Sequence, residues 1–482
     1  MSGLKKPLKE KKRKHGDKLM SYTKKYMLEK ANKASFVFLL FAISVPTHLV
    51  NGQPVESPPI PDFKKQIDYI QWCQKQLAFA NGDNASIVYS TFFHKPGDSS
   101  WNFLKPTEQA ADQIDTIISN SQMWEPNEFR NVEEYLRSIE TYMDAYEIGS
   151  SSYKYFSIPI EIDKKFEDTL FIRLPHIGNS QLLSNAMLAL AWRKYNGIFC
   201  IGEFNEKVLI ILRHSNHIQQ GLSLVEQRVA IYEKDLAYTA ILSAINRNLF
   251  DSTSLSNLHC FLDQNNVTDT RNSLIRSTPF EQAASLALLQ SMCKPFPYFG
   301  KPRLNKNKVR KWWELFGRSY KYGSTNLLQK VLAEDPVKLS HQIKSYYTEN
   351  SDIISGKCKV NYESSFSQLS KKYTSIHPYF RAFPFANFSK SYGKCIEVER
   401  KRRIMHLAVR LLVYRNKNKL FPQKLSLLLN NGDTSIIIDP VTNSPFEYCS
   451  EESRASVKGL GVGIFSDIIV QLGKKSMENG QD

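Results

Sequence analysis

The stretch SQLLSNAMLALAWRKYNGIFCIGEFNEKVLIILRHSNHIQQGLSLVEQRVAIYEKDLAYTAILSAI, residues 180–245, constrains the fold more than any other part of the chain. It holds three segments with apolar residues at three-and-four spacing: Leu182 to Tyr195, Phe204 to Ile218 and Leu224 to Ile245. Gly197, Gly202 and Gly221 punctuate them, and connections this short force consecutive helices to run antiparallel. The expected class is mainly α, a multi-helix bundle. With 42% hydrophobic and 23% charged residues, the 482-residue chain has enough apolar material to bury a large core and is not a disordered polymer.

Other helical patterns flank this block. PTEQAADQIDTIISN places Ala110, Ile114, Ile117 and Ile118 on one face, and NVEEYLRSIETYMDAYEIG reads as one helix through Val132, Leu136, Ile139, Tyr142 and Tyr146, closing at Gly149. Further helices are expected at 279–293, 307–320, 324–334, 337–348 and 364–373, with loops rich in Ser, Asn, Gly and Pro between them. Residues 153–162 and 168–177 are rich in β-branched and aromatic residues but carry internal prolines, so they read as edge strands or extended connections. One helix-Gly-helix unit resembles a tetratricopeptide hairpin. No period near 34 residues recurs, so a stacked solenoid is not expected.

The net charge of +17 is unevenly placed. Residues 1–34 contain twelve Lys and Arg against Glu10, Asp17 and Glu29, a net +9 that leaves +8 for all the rest. Directly behind this cluster comes ASFVFLLFAISVPTHLVNGQPV, greasiest from Phe36 to Val45. A basic flank followed by a ten-residue run that is apolar apart from Ser44 matches a signal peptide core, and its long leader also matches a retained signal anchor. In either form the lysine-rich end stays cytoplasmic and the chain beyond residue 52 is exported. QPVESPPIPD, residues 53–62, then reads as a stiff proline-rich spacer. The basic leader alone would suit nucleic acid, but an apolar run twenty residues downstream makes a nucleic-acid partner unexpected.

Candidates for carrying chemistry are few. His214 and His217 stand at i and i+3 on one helix, a spacing open to a metal, with Glu226 or Glu233 as a third ligand. No HExxH pattern accompanies them, and the favoured reading places both on a solvated helix face. NKVRKWWELFGRSYKYG, residues 307–323, interleaves Lys308, Arg310, Lys311, Arg318 and Lys321 with aromatics. On a helix Val309, Trp312, Trp313 and Phe316 share one side, as core residues do. KGLGVG, residues 458–463, lacks the spacing and the βαβ setting of a dinucleotide loop. Cysteines 73, 200, 260, 293, 358, 395 and 449 are scattered singly, which argues for isolated buried thiols, with room for one or two bridges, over a metal ribbon. Asn84, Asn266 and Asn387 lie in glycosylation sequons. No catalytic, cofactor-binding or metal residue is assigned.

Toward the C-terminus the helix VERKRRIMHLAVRLLVYRNKNK presents Val398, Met405, Ala408, Leu411, Leu412 and Tyr414 on one face with cations round the rest, and Pro422 stops it. A short helix at 424–429 follows, then Ile436 to Ile438 as a strand, a turn at Asp439-Pro440, a second turn at Asn443-Ser444-Pro445, and Phe446 and Tyr448 pointing the same way. This order resembles the C-terminal module of uncharacterised exported proteins of planctomycete-type bacteria, which is similar in turn to the globular part of type II secretion pseudopilins. The matching positions are Tyr414, Phe421, Pro422, Asp439, Pro440, Pro445, Phe446 and Tyr448. The 180–245 block resembles the helical middle of the same group. This chain has Asn443-Ser444 where those proteins usually carry glycine, and its apolar segment lies far upstream of the module, so no pilus-like fibre is implied.

The resulting organisation is a basic cytoplasmic tail (1–34), a signal anchor or signal peptide (35–52), a proline-rich spacer (53–105), a helical body (106–390) and a small helix-plus-hairpin α+β module (391–482). The expected function is structural or protein-contacting, in the cell envelope, with the membrane engaged through residues 35–52 and other envelope proteins as partners. Two rivals are an exported hydrolase whose site is scattered in sequence and a nucleic-acid binder led by the basic tail.

Overall fold

In a computed structural model, residues 63, 84–93, 104–153, 161–162, 172–173, 176–264, 270–293, 302–310, 325–356, 361–376, 379–380, 385–429 and 434–473 are described. The basic tail and the apolar segment 35–52 lie outside them, as do Cys73, Cys358, Asn266 and most of 307–323. Among the described residues no helix is long and apolar enough to cross a membrane.

The architecture is mainly helical with small antiparallel sheets. Helices α1 (Ser86–Phe93), α2 (Glu108–Asn120), α3 (Arg130–Ser138) and α4 (Glu140–Ser152) lead to a two-residue ladder, β1 (Glu161–Ile162) against β2 (Ile172–Arg173). Next come α5 (His176–Ala191), β3 (Lys194–Tyr195), β4 (Ile198–Phe199), α6 (Ile201–Ile218), α7 (Leu224–Asn246), α8 (Ser252–Gln264) and α9 (Thr270–Ser291). Then follow α10 (Thr325–Leu332), α11 (Pro336–Ser355), α12 (Tyr362–Ile376) and the 31-residue α13 (Phe388–Asn418). Two 3₁₀ turns, Leu425–Leu428 and Thr434–Ile437, precede a three-stranded meander of β5 (Glu447–Ser450), β6 (Ala455–Gly459) and β7 (Ile468–Leu472).

The three antiparallel helices expected at 180–245 are present as α5, α6 and α7, and the first connection is more specific than a glycine break. Asn196 (φ 51°) and Gly197 (φ 79°) form the two central residues of a hairpin in which Lys194 pairs with Phe199 and Tyr195 with Ile198. Both residues take positive φ, which asparagine and glycine tolerate best. At the second connection Ser223 caps α7: its Oγ accepts the Glu226 N–H at 3.1 Å, and Glu226 Oε2 accepts the Ser223 N–H at 3.0 Å.

Several boundaries differ from the sequence expectation. The segment 131–149 is two helices that break at Ile139, and α4 runs through Gly149 to Ser152. The helix expected at 279–293 begins at Thr270, with Pro279 inside it. Proline leaves the Ile275 carbonyl without its helical N–H, and the Thr278 hydroxyl donates to that oxygen at 2.7 Å. Ile436 to Ile438 is not a strand: Ile436 and Ile437 close a 3₁₀ turn, and only Ile438 makes a bridge, to Pro445. The sheet is instead built from β5, β6 and β7, and KGLGVG begins inside β6.

Helix α13 was expected to be amphipathic and is buried nearly all round. Val398, Ile404, Met405, Leu407, Ala408, Val409 and Leu411 are all under 2% exposed. It packs against α7, α8, α9 and α12 as well as β6 and β7, so no side remains for a solvated cation stripe. One continuous hydrophobic core joins α1–α8 to α13 and the C-terminal sheet, and a second gathers α9, α11, α12 and the start of α13.

Candidate functional site

The histidine pair is where the sequence came closest to chemistry, and the structure moves it off the surface. His214 is fully buried and His217 is 4% exposed, so the solvated-face reading is corrected. The reason lies in their neighbours: α6 is covered by α5 and α7 on one side and by α4 on the other. Seven polar side chains from five helices meet here: Tyr89 (α1), Tyr146 and Ser150 (α4), Ser184 (α5), His214 and His217 (α6), and Glu233 (α7). None exceeds 4% exposure.

Two hydrogen-bonded chains run through the cluster. In the first, His214 Nδ1–H donates to Glu233 Oε2 at 2.8 Å and Ser184 Oγ donates to Glu233 Oε1 at 2.7 Å. Ser184 Oγ also lies 2.8 Å from the Tyr146 hydroxyl, whose ring stands 4.2 Å from His214. In the second, the Tyr89 hydroxyl lies 2.9 Å from His217 Nδ1 and 3.0 Å from Ser150 Oγ, and His217 Nε2 lies 2.8 Å from the Tyr153 carbonyl. A carbonyl can only accept, so Nε2 carries the proton and Nδ1 accepts from Tyr89. Burial, with His214 beside it, pushes the His217 pKa down to about 4, in keeping with that neutral tautomer. Burial likewise raises the phenols of Tyr89 and Tyr146 well above their ordinary range.

This arrangement satisfies most of the groups that burial would otherwise penalise, His214 Nε2 being left without a hydrogen-bond partner, and it does not assemble a nucleophile. Ser184 and His214 sit on opposite oxygens of one carboxylate, so no imidazole abuts the serine hydroxyl as an activated nucleophile requires. Glu226, weighed as a third metal ligand, is spent in the α7 capping box, and both His217 nitrogens are engaged. Among the described residues no group of three or more His, Cys, Asp or Glu converges to hold a metal ion. Gly149 makes the cluster possible: a Cβ there would stand 2.1 Å from Tyr89 Cε1. Tyr89 and Ser184 carry no signal in the sequence, because their partners lie 128 and 49 residues away.

A second buried polar cluster explains the Asp-Pro turn. Arg400 on α13 is 3% exposed in its side chain, and Asp439 is 1% exposed. The guanidinium binds Asp439 Oδ2 through Nε at 3.0 Å and Nη2 at 2.8 Å. It also donates to the carbonyls of Leu460 (2.6 Å) and Ser466 (2.7 Å), the two ends of the β6–β7 connection. Asp439 Oδ1 accepts the Val441 N–H at 2.8 Å, which sets the turn. The Tyr448 hydroxyl donates to the Pro422 carbonyl at 2.7 Å, and Phe421 and Phe446 are both buried. Several other basic side chains of α13 find acids: Lys401 pairs with Asp235 (2.6 Å), Arg402 and Arg403 with Glu399 (2.8 and 2.7 Å), and Arg410 with Asp263 (3.0 Å), which also lies 2.9 Å from His406. Burial opposes ionisation of Glu399, but Arg402 and Arg403 outweigh it and hold its pKa near 2. Burial, with Arg410 beside it, pushes His406 down to about 4.

The remaining nominated residues fall into place individually. Val309 is fully buried, on the core side as expected. Lys458 and Gly459 belong to β6, and a Cβ on Gly459 would strike both Arg400 and Asp439. Asn84 accepts the Ser86 N–H, and Asn387 caps α13. Cys293 and Cys395 are buried, the free Cys293 thiol pushed up to about 12 by burial. Cys200, Cys260 and Cys449 are also free but exposed, against the expectation of burial. No protein-family profile, curated protein or solved structure matches the chain.

Proposed function

We propose that the protein is a non-enzymatic component of the cell envelope, held at the membrane through residues 35–52, with its helical body beyond the membrane in a structural or protein-contact role. The observation that carries this reading is the run Phe36–Val45 set directly behind twelve cations in residues 1–34. The body supports it from another direction. Its most chemistry-like constellation, Tyr89, Ser184, His214 and Glu233, is sealed at 0% exposure and tied together, which is the condition of a polar staple. The cations in the middle of α13, Lys401, Arg402, Arg403 and Arg410, are matched by acids, which disfavours a continuous basic stripe along it for nucleic acid.

On the same reading the C-terminal unit is a pseudopilin-like module serving packing or contact. What supports this is the resemblance at Tyr414, Phe421, Pro422, Asp439, Pro440, Pro445, Phe446 and Tyr448, together with the Tyr448 bond to the Pro422 carbonyl and the Arg400–Asp439 pair. Fractionation of the native cell, with protease added to intact and opened cells, tests the proposal. The full chain is expected in the membrane fraction, and removal of 35–52 is expected to leave the body in the cytoplasm. A full-length chain recovered free in the cytoplasm, intact from Met1, overturns it.

A further inference from the structure

A cleft of about 510 Å³ opens between α11, α12 and the start of α13, away from both buried clusters. Its volume falls within the range of small-ligand sites. One wall is aromatic. Tyr346 and Phe385 are partly exposed in it, backed by the buried rings of Phe366, Tyr373, Phe380 and Phe388. The wall is fixed by its own packing: Phe380 stacks on Phe385 at 4.2 Å and 16°, and Tyr346 meets Phe385 edge-on at 5.6 Å and 67°. Asn350 is 1% exposed and holds the Tyr346 carbonyl through its amide at 2.7 Å, so the wall is preorganised.

The mouth has a different chemistry. Ser367, Ser370, Thr374, Asn387 and Ser389 line it with neutral hydroxyls and amides. Among the described residues its only ionic lining groups are Glu363 and Lys371, one of each sign. The described lining residues carry no excess charge that would select an anion or a cation. A purely apolar ligand would strip water from the rim without replacing its hydrogen bonds. The ligand that satisfies both surfaces is uncharged, with one apolar C–H face for the ring wall and hydroxyls along its edge. Aromatic faces carry the negative side of the ring quadrupole, which attracts the polarised C–H groups of a pyranose.

We infer that this cleft binds a neutral oligosaccharide, one sugar ring lying against Tyr346 and Phe385 and its hydroxyls meeting Ser367, Ser370 and Thr374. The inference concerns the body alone and stands whichever side of a membrane the body occupies. The test is saturation-transfer-difference NMR on the full chain in a detergent without a sugar headgroup, with chitotetraose and cellotetraose as probes. The expected result is transfer to the ring C–H protons of at least one tetrasaccharide. Ser370→Arg, at an exposed position where folding is retained by circular dichroism, is expected to weaken that binding at least tenfold, and Ser367→Arg serves as an independent block. Lys417→Gln, at an exposed position outside the cleft, is expected to leave it unchanged. Absence of transfer from both sugars, binding indifferent to both arginine substitutions, or displacement of the sugar by a polyproline decamer at lower concentration overturns the inference, the last assigning the cleft to a protein partner.

Discussion

Asp439→Asn removes one charge and almost nothing else, because asparagine keeps an oxygen for the Val441 N–H. What it leaves behind is the Arg400 guanidinium, 3% exposed, with its counter-charge gone. Breaking a buried ion pair from one side costs about 3 to 5 kcal/mol. The lower end applies here, since Arg400 still donates to the Leu460 and Ser466 carbonyls at 2.6 and 2.7 Å. A chain of this size need not unfold in one step, so the readout is local: amide hydrogen exchange across residues 455–472 in the full chain. A loss of about 3 kcal/mol corresponds to exchange roughly 100-fold faster in that segment. The double replacement Arg400→Met with Asp439→Leu is expected to be milder than the sum of its singles, because no charge is then stranded. If Asp439→Asn leaves exchange in 455–472 within about threefold of wild type, the ion pair does not hold the module to α13 and this reasoning fails.

Acid titration gives a second prediction. The pKa values of His217 and His406 lie near 4 in the fold against about 6.5 unfolded, so the unfolded chain binds more protons between those values. Stability is therefore complete above pH 6.5 and falls as pH drops toward 4, by roughly 3 kcal/mol per histidine. Urea midpoints measured at pH 7 and pH 4.5 should show it, and His217→Gln should flatten the dependence. Glu399, held near 2 by Arg402 and Arg403, acts lower: its contribution is present above about pH 4.5 and disappears as pH falls through 2, so Glu399→Gln should lower stability at pH 7 and flatten the further loss below pH 4.5. Gly149→Ala drives a methyl into the Tyr89 ring and should cost about 1 to 3 kcal/mol, read as a lower thermal midpoint with loss of protection in α1 and α4. Ser184→Ala leaves Glu233 Oε1 and the Tyr146 hydroxyl short of a partner in the core, an expected loss of about 1 to 3 kcal/mol by the same measurement.

The parts of the fold legible in the sequence are those fixed by short-range periodicity. Helices α5, α6 and α7 follow from apolar spacing and glycine punctuation, since helix formation and short connections are local properties. The Asn196-Gly197 hairpin was equally local and carried a turn signal, yet its two-residue strands were too short to rise above the flanking helical pattern. The burial of His214 and His217 was not legible. A polar residue beside an apolar stripe reads as a surface residue unless its partners are known, and those partners, Tyr89, Tyr153 and Glu233, lie on other elements. Helix α13 misled for the same reason: its cations resemble a solvated face, and only Asp235, Asp263, Glu399 and Asp439 show that they are internal pairs. The strand expected at Ile436–Ile438 shows the limit of β-branched propensity, which the Asp439 turn and the Arg403 contacts to the Ser435 and Ile438 carbonyls override.

The placement of the body outside the cytoplasm is tested most directly through its exposed thiols, Cys200, Cys260 and Cys449. A membrane-impermeant maleimide should label the full-length chain in native cells whose inner membrane is sealed and whose outer layers are opened, with single Cys→Ser substitutions at 200, 260 and 449 assigning the label. Labelling that appears only after the inner membrane is breached would place the body in the cytoplasm and contradict the account.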